Sequence, residues 1–125
     1  MNSPKVCIVT GASRGLGRGI ALVLAREEGC RVYATARNED ALNGLAKEAA
    51  EGSKGGKVFP CKLDQSDDEA VRTFVEQMNA KENQLDLLVN SAYGGLVAVT
   101  PHFGKSFWEK PISVFDASLN IGLRS

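Results

Sequence analysis

The segment from Thr10 to Gly17, Thr-Gly-Ala-Ser-Arg-Gly-Leu-Gly, holds the residue types in this sequence best suited to bind an anion. Gly11 permits a tight turn, Gly15 lets the backbone approach a diphosphate, and Gly17 lets a helix pack close to a strand. Free backbone N–H groups and a helix dipole favour the negative charge. A dinucleotide phosphate site is therefore predicted, lined by Gly11, Ser13, Arg14, Gly15, Leu16 and Gly17.

The pair Ala36–Arg37 indicates which dinucleotide would bind. Sites selective for NAD usually carry an acidic residue after the second strand, where it accepts hydrogen bonds from the adenine ribose. Ala36 holds that place here, and Arg37 follows it. A guanidinium at this point can make a charge-assisted, bidentate contact with a 2′-phosphate, and Arg14 in the glycine-rich turn adds a second cation. A single Arg on a loop is commonly solvated surface, but two at these loops favour NADP(H).

Four short apolar runs alternate with segments of helical periodicity. The strands and helices that they predict must position the residues of the site. The predicted strands cover residues 5–10, 31–36, 57–63 and 85–90, and residues 91–110 are predicted to be irregular. A β-α unit repeated four times predicts an α/β fold, a Rossmann-like doubly wound parallel sheet with strand order 3-2-1-4. The glycine-rich turn then joins the first strand to the first helix, which favours a phosphate site over an ordinary glycine-rich connection.

The four helices are predicted from apolar spacing and from their caps. Asn38 is the predicted cap of the second helix, Ser66 and Glu69 have the spacing of a capping box for the third, and Pro111 is the predicted first residue of the last. The apolar residues at helical spacing, expected to form the inner face where the other side is polar, are Leu16, Ile20, Val23 and Leu24 in the first helix, Leu42, Leu45, Ala46 and Ala49 in the second, and Val71, Phe74, Val75 and Met78 in the third; the last helix carries Ile112, Phe115 and Leu119.

Composition disfavours several classes of partner. The 125 residues carry 15 Lys and Arg against 15 Asp and Glu, so no positive field gathers nucleic acid or an anionic membrane surface. No apolar stretch is long enough to cross a bilayer, and no signal core opens the chain. Three widely spaced Cys residues, without Cys-x-x-Cys or paired His spacing, indicate reduced thiols and no zinc site. One cytoplasmic domain over residues 1–125 is predicted, without a metal or a membrane span.

The complete Thr-Gly-x-x-x-Gly-x-Gly turn resembles the cofactor signature of the short-chain dehydrogenase/reductase family. By this resemblance Asp64, with Leu63 beside it, binds the adenine amino group, although a carboxylate in that turn also suits the start of a helix. Asn90 and Ala92 match the family segment that closes the fourth strand and lines the adenosine and ribose. A buried Asn that ties neighbouring strands together is the structural alternative for Asn90.

The resemblance continues to the end of the chain with two departures. Ser91 and Tyr93 stand where the family has Asn and Gly, so a looser backbone approach is expected near Tyr93. Asn120 matches the family's helix Asn, which in many members holds a water of the proton relay, and it is the candidate catalytic residue. Without that relay it would be a polar helix residue that needs a partner. Segments 107–111 and 120–124 are similar to the dehydrogenase/reductase member 1 subgroup.

The activity that the resemblance implies needs a catalytic pair that these 125 residues lack. In the family, a Tyr with a Lys four positions later transfers the proton that accompanies hydride transfer. Tyr33 and Tyr93 are followed at that spacing by Arg37 and Val97. The resemblance therefore implies the N-terminal, NADP(H)-binding half of a longer oxidoreductase that acts on a small carbonyl or secondary alcohol. We expect this half to be inactive alone and the full-length protein to be a homo-oligomer.

Two other functions are compatible with parts of this pattern. A non-catalytic dinucleotide-binding or subunit-interaction module is the alternative, because the fourth strand would be a sheet edge able to pair with another chain. A Rossmann-like methyltransferase is disfavoured, because it usually has an acidic residue where this chain has Ala36. His102 has no assignable role.

Overall fold

The computed structural model describes residues 3–123, so Arg124, in the second subgroup-like segment, lies outside the described residues. The strands are β1 (Val6–Val9), β2 (Arg31–Ala36), β3 (Lys57–Lys62) and β4 (Leu87–Val89). The helices are α1 (Gly15–Arg26), α2 (Glu39–Ala50), α3 (Asp68–Lys81), α4 (Gly95–Val99) and α5 (Ile112–Gly122), with 3₁₀ turns at Thr100–His102 and Phe107–Glu109. The α/β class and the four strands are confirmed, whereas the segment predicted to be irregular contains α4 and both 3₁₀ turns.

The four strands are parallel in the order β3-β2-β1-β4, as predicted. β1 lies inside the sheet, and each of its residues is buried, as expected for a strand covered on both faces. The Val6 N–H donates to Asp86 Oδ2 at 2.7 Å, and the Asp86 N–H donates to the Val6 carbonyl at 2.9 Å. These two bonds join the amino ends of β1 and β4, and the parallel register, which pairs Val9 with Val89, then brings the carboxyl ends side by side, where a doubly wound sheet leaves a crevice.

The sheet is packed on both faces. On one face, Val9 and Val32 of the strands meet Leu42 and Leu45 of α2, and all four are fully buried. On the other face a smaller cluster joins residues of β1 and β2 to Met78 of α3. The helices thus hold the strand ends, and with them the connecting loops, in fixed positions.

Helix α1 approaches the sheet through small residues. Its buried residues are Gly17, Ala21 and Ala25, four positions apart. The predicted burial of Leu16 and Val23 is wrong, because these side chains are 75% and 53% exposed. Small side chains allow the helix axis to lie close to the strands, and the larger residues at other angles then face outward.

The helix starts agree with prediction at α2 and differ at α3. Asn38 caps α2 as predicted, with its side chain accepting a backbone N–H. At α3 the cap is Asp67, whose Oδ1 accepts the Ala70 N–H at 3.0 Å. The predicted capping box is wrong, because the Ser66 N–H and hydroxyl both donate to Asp64 Oδ1 instead.

Helix α5 begins after Pro111, close to its predicted start, but it has no buried residue in its described part. Two of its apolar residues, Ile112 and Phe115, are exposed. The helix packs mainly on α4. Its apolar spacing therefore predicted the helix correctly but does not mark a buried face.

Three further properties of residues 3–123 concern the helices, the candidate metal ligands and the cysteines. Each helix in this range is too short or too polar to cross a lipid bilayer. Within the same range, His, Cys, Asp and Glu side chains do not gather in a group of three that could hold a metal ion. The three cysteines are free thiols, and burial, together with neighbouring Cys30, raises the pKa of Cys7 to about 12.

Candidate functional site

A cleft with a volume of about 460 Å³ opens at the carboxyl ends of the parallel strands. The glycine-rich turn, the loops after β2 and β3, and the segment after β4 contribute to its lining. The predicted site residues that line it are Gly11, Ser13, Arg14, Gly15, Leu16, Gly17, Arg37, Leu63, Asp64 and Ala92. The fold thus gathers into one cleft most of the residues that the sequence analysis selected from four separate segments.

Thr10 joins the glycine-rich turn to the end of β4. Its buried Oγ1 accepts hydrogen bonds from the N–H groups of Ser91, at 3.0 Å, and Ala92, at 3.1 Å. The Thr10 N–H donates to the Val89 carbonyl at 3.0 Å. The turn and the segment after β4 therefore form one continuous backbone surface along the cleft.

Two glycines are required in this turn because backbone segments approach closely. Gly11 has a φ of +61°, and a Cβ at this position would lie 2.7 Å from Ala92 Cα. A Cβ on Gly17 would collide with the Gly11 carbonyl group. Helix α1 therefore starts directly against the turn, and the backbone can follow this path only with glycine at both positions.

The N-terminus of α1 differs from those of α2 and α3 in its electrostatics. The latter two helices have side-chain caps and acidic residues in the first turn. The first turn of α1 has no acidic residue, and its N-cap, Arg14, makes no side-chain cap hydrogen bond. Gly15 has a φ of +60°, and nothing lies within 4 Å of where its Cβ would be. The N–H groups and the dipole of α1 are thus open to an external anion.

Arg37 and Asp64 form a charged rim where the loops after β2 and β3 meet the cleft, and both are exposed. The Ser66 hydroxyl and N–H donate to Asp64 Oδ1 at 2.6 and 2.9 Å. These hydrogen bonds lower the pKa of Asp64, and the positive charge of Arg37 adds to the effect. The rim therefore offers an ionised carboxylate that accepts hydrogen bonds and a guanidinium that binds anions.

Two predicted site residues do not line the cleft. Asn90 lines a separate cavity of about 480 Å³ together with Phe74 and Met78, and it is exposed, which speaks against the alternative of a buried Asn that ties neighbouring strands together. Neighbouring residues of an extended segment face opposite sides, which separates the Asn90 side chain from those that line the cleft. Asn120 is exposed on α5, and the next residue, Ile121, lines the cleft instead.

The cleft also contains residues to which the sequence analysis assigned no binding role, namely Thr35, Ala36, Gln65, Ser91, Tyr93, Gly94, Leu96 and Ile121. The rule that ligands bind beyond the carboxyl ends of parallel strands points to Thr35 and Gln65, which stand next to Ala36 and Asp64. No comparable signal exists for Leu96 and Ile121, because the packing of α5 on α4 brings them to the cleft.

Comparison with known proteins identifies relatives over most of the chain. Residues 5–120 match the sequence profile of the short chain dehydrogenases. Dehydrogenase/reductase SDR family member 1 of Mus musculus and its counterpart of Homo sapiens are each 46% identical to this chain over 121 residues. The match covers 96% of this chain and 38% of each relative, so the chain spans well under half the length of these curated relatives.

Solved structures share this fold over about half of their length. A metagenomic short-chain oxidoreductase in complex with NADP has a TM-score of 0.80 and 32% identity, over 96% of this chain and 50% of the other. An alcohol dehydrogenase from Thermococcus sibiricus complexed with 5-hydroxy-NADP has a TM-score of 0.79 and 31% identity, over 97% and 48% of the two chains. Profile, sequence identity and fold agree that the chain belongs to the short-chain dehydrogenase/reductase family, in a subgroup similar to member 1.

Proposed function

We propose that this chain binds NADP(H) in the cleft and forms the cofactor-binding half of an oxidoreductase that transfers hydride between NADP(H) and a small carbonyl or secondary alcohol. One observation carries the proposal: the open N-terminus of α1 and the exposed guanidinium of Arg37 line the same cleft. These two positions suit the two phosphate-bearing parts of the cofactor, the diphosphate and the 2′-phosphate.

The glycine-rich turn fits a diphosphate. At Gly11 and Gly17 a Cβ would collide with backbone, so both positions keep the turn free of side chains. The N–H groups at the start of α1 would donate to the diphosphate oxygens, and the helix dipole would stabilise their charge. Thr10 fixes the turn relative to β4 through two hydrogen bonds, so these donors stand in place before the ligand arrives.

The rim favours the phosphorylated form of the cofactor. Ala36 offers no carboxylate to the ribose hydroxyls, and Arg37 offers a fork of donors to a 2′-phosphate. Arg14 is a second exposed guanidinium that lines the same cleft. The relatives with known structure that are named above were solved with NADP and 5-hydroxy-NADP, which supports the same choice.

When bound, NADP(H) supplies or accepts the hydride. In this chain Asp64 would accept a hydrogen bond from the adenine amino group, and Asn120 would hold a relay water in the intact protein. The Tyr-x-x-x-Lys pair is not found at Tyr33 or Tyr93. We therefore expect the 125-residue chain to bind NADPH without oxidising it. Action on a small-molecule substrate and homo-oligomer formation belong to our proposal for the intact protein.

Calorimetric titration of the 125-residue chain with NADPH and NADH tests the cofactor assignment. We expect NADPH to bind about 10- to 100-fold more tightly, the worth of one or two charge-assisted hydrogen bonds. Arg37→Asp should remove this preference. Equal affinities for the two nucleotides before and after the substitution would contradict the choice of NADP(H).

Gly15→Val tests the turn, because a β-branched residue at a φ of +60° is strained and the turn must change shape to relieve it. We expect it to abolish binding of both nucleotides while the chain stays folded by circular dichroism. Gly44→Ala is the matched control, because a Cβ on this α2 glycine has nothing within 4 Å. A folded wild-type chain that binds neither nucleotide would overturn the proposed function.

A further inference from the structure

Tyr93 lies beside both α4 and α5, and 54% of its surface is exposed. A Cβ on Gly95 would collide with its hydroxyl end, and a Cβ on Gly122 would lie 2.9 Å from its Cδ2 atom. Its hydroxyl is 3.3 Å from Ser118 Oγ on α5. The ring therefore occupies space that is available only because both helices carry glycine where they meet it.

The contact between these two helices reaches the cleft through Ile121. A Cβ on Gly94 would lie 2.6 Å from Ile121 Cδ1, so α5 passes close to the backbone directly after Tyr93. Tyr93, Leu96 and Ile121 all line the cleft. We call these three residues the apolar wall of the cleft. The position of this wall depends on how the Tyr93 ring holds α5 against α4.

This wall stands at a defined end of the cleft. Arg37 and Asp64 follow β2 and β3, on one side of the glycine-rich turn, whereas Tyr93 follows β4, on the other side. If the diphosphate lies at the turn and the adenosine 2′-phosphate lies at Arg37, the second nucleoside of the cofactor must extend towards β4.

We propose that Tyr93 is a positioning residue for the nicotinamide half of the cofactor. Its ring holds α5 in the position in which Ile121 completes the apolar wall, and the nicotinamide half packs against this wall. The inference rests on the proposed binding of NADP(H) and adds to it a residue at which the chain departs from the family's glycine. Tyr93 acts through α5, since its hydroxyl and ring are engaged with Ser118 and Gly122.

The test compares two ligands that differ in the nicotinamide half, NADPH and 2′,5′-ADP. We expect Tyr93→Ala to weaken NADPH binding about tenfold, the effect of losing a packed apolar contact, and to leave the Kd of 2′,5′-ADP within about twofold. Tyr93→Phe keeps the ring and should bind NADPH within about threefold of the wild type. Equal loss of both ligands in Tyr93→Ala would overturn the inference, because a general structural defect would act on both.

A double-substitution cycle tests the route through α5. Gly122→Ala places a Cβ against the Tyr93 ring, so we expect it to weaken NADPH binding about fivefold in the wild-type background and by less than about twofold in the Tyr93→Ala background. Gly44→Ala should change neither. If Gly122→Ala weakens NADPH binding equally in both backgrounds, the inference about Tyr93 is wrong but the proposed function is not affected. If the wild-type chain binds neither NADPH nor 2′,5′-ADP, both the proposed function and the inference are wrong.

Discussion

Replacing Thr10 with Val puts a methyl group in the place of the hydroxyl group that joins β1 to the segment after β4, so the main change is the loss of a hydrogen-bond acceptor. Its Oγ1 accepts from Ser91 N at 3.0 Å and Ala92 N at 3.1 Å, and both N–H groups lose their acceptor in the variant. The contact of Oγ1 with the Val89 carbonyl is 3.5 Å long and adds little.

The expected loss of stability follows from these two bonds. Ser91 and Ala92 are half-buried, so water partly reaches their N–H groups once the hydroxyl acceptor is removed. Each lost hydrogen bond should therefore cost about 1 kcal/mol of folding free energy. Thr10→Val should therefore lower the free energy of unfolding by about 2 kcal/mol. Thr10→Ser, the matched control, keeps the acceptor and loses one buried methyl group, which costs about 0.8 kcal/mol.

Urea denaturation and amide hydrogen exchange measure the two parts of this prediction. The midpoint should fall furthest for Thr10→Val with an unchanged m-value, and the Ser91 and Ala92 amides should exchange about 30-fold faster than in the wild type. If Thr10→Val is no less stable than Thr10→Ser, and these amides exchange at wild-type rates, the hydroxyl does not join the two segments and the argument for a preformed turn fails.

Two further predictions concern the helix ends. The Glu82 carboxylate accepts hydrogen bonds from Tyr33 OH at 2.6 Å and from Arg31 Nε at 3.0 Å, and these bonds lower the pKa of Glu82. The ionised carboxylate therefore stabilises the folded chain above about pH 4.3, and this contribution is lost as the pH falls through the lowered pKa. Glu82→Gln should cost about 1–2 kcal/mol at pH 7 and less as the pH falls through the lowered pKa of Glu82, and a pH-independent cost by urea denaturation would contradict this. Asp67→Ala should lower the free energy of unfolding, measured by thermal denaturation, by about 1 kcal/mol, because Asp67 caps α3. Ser66→Ala should lower it by less than half of that. If Ser66→Ala had the larger effect, Ser66 would be the cap and the predicted capping box would be correct.

The sequence predicted the sheet well because its signals are local. The runs at β1 and β2 are apolar and bounded by turn residues, and a strand buried on both faces needs no other pattern. Glycine spacing placed the turn at the carboxyl end of β1, and strand topology then placed Arg37 and Asp64 at the same cleft.

The errors arise where packing between elements decides burial. Hydrophobicity favoured Leu16 and Val23 as the buried face of α1, but the close approach to the sheet selects Gly17, Ala21 and Ala25. At α3, the carboxylate of Asp64 binds Ser66 and leaves capping to the next residue. At the cleft, the contribution of Ile121 depends on the packing of α5 on α4, for which the sequence has no periodic signal.

The pairing of β1 with β4 has a consequence for the order in which this chain folds. β1 meets β2 across 25 residues, as in the pair Val6–Arg31, and meets β4 across 80, as in the pair Cys7–Leu87. Closing the longer loop costs about 1 kcal/mol more chain entropy. We therefore expect the β1-α1-β2 crossover to form before β4 pairs with β1. Because the segment after β4 lines the cleft, nucleotide binding during refolding should begin only when this last pairing is made.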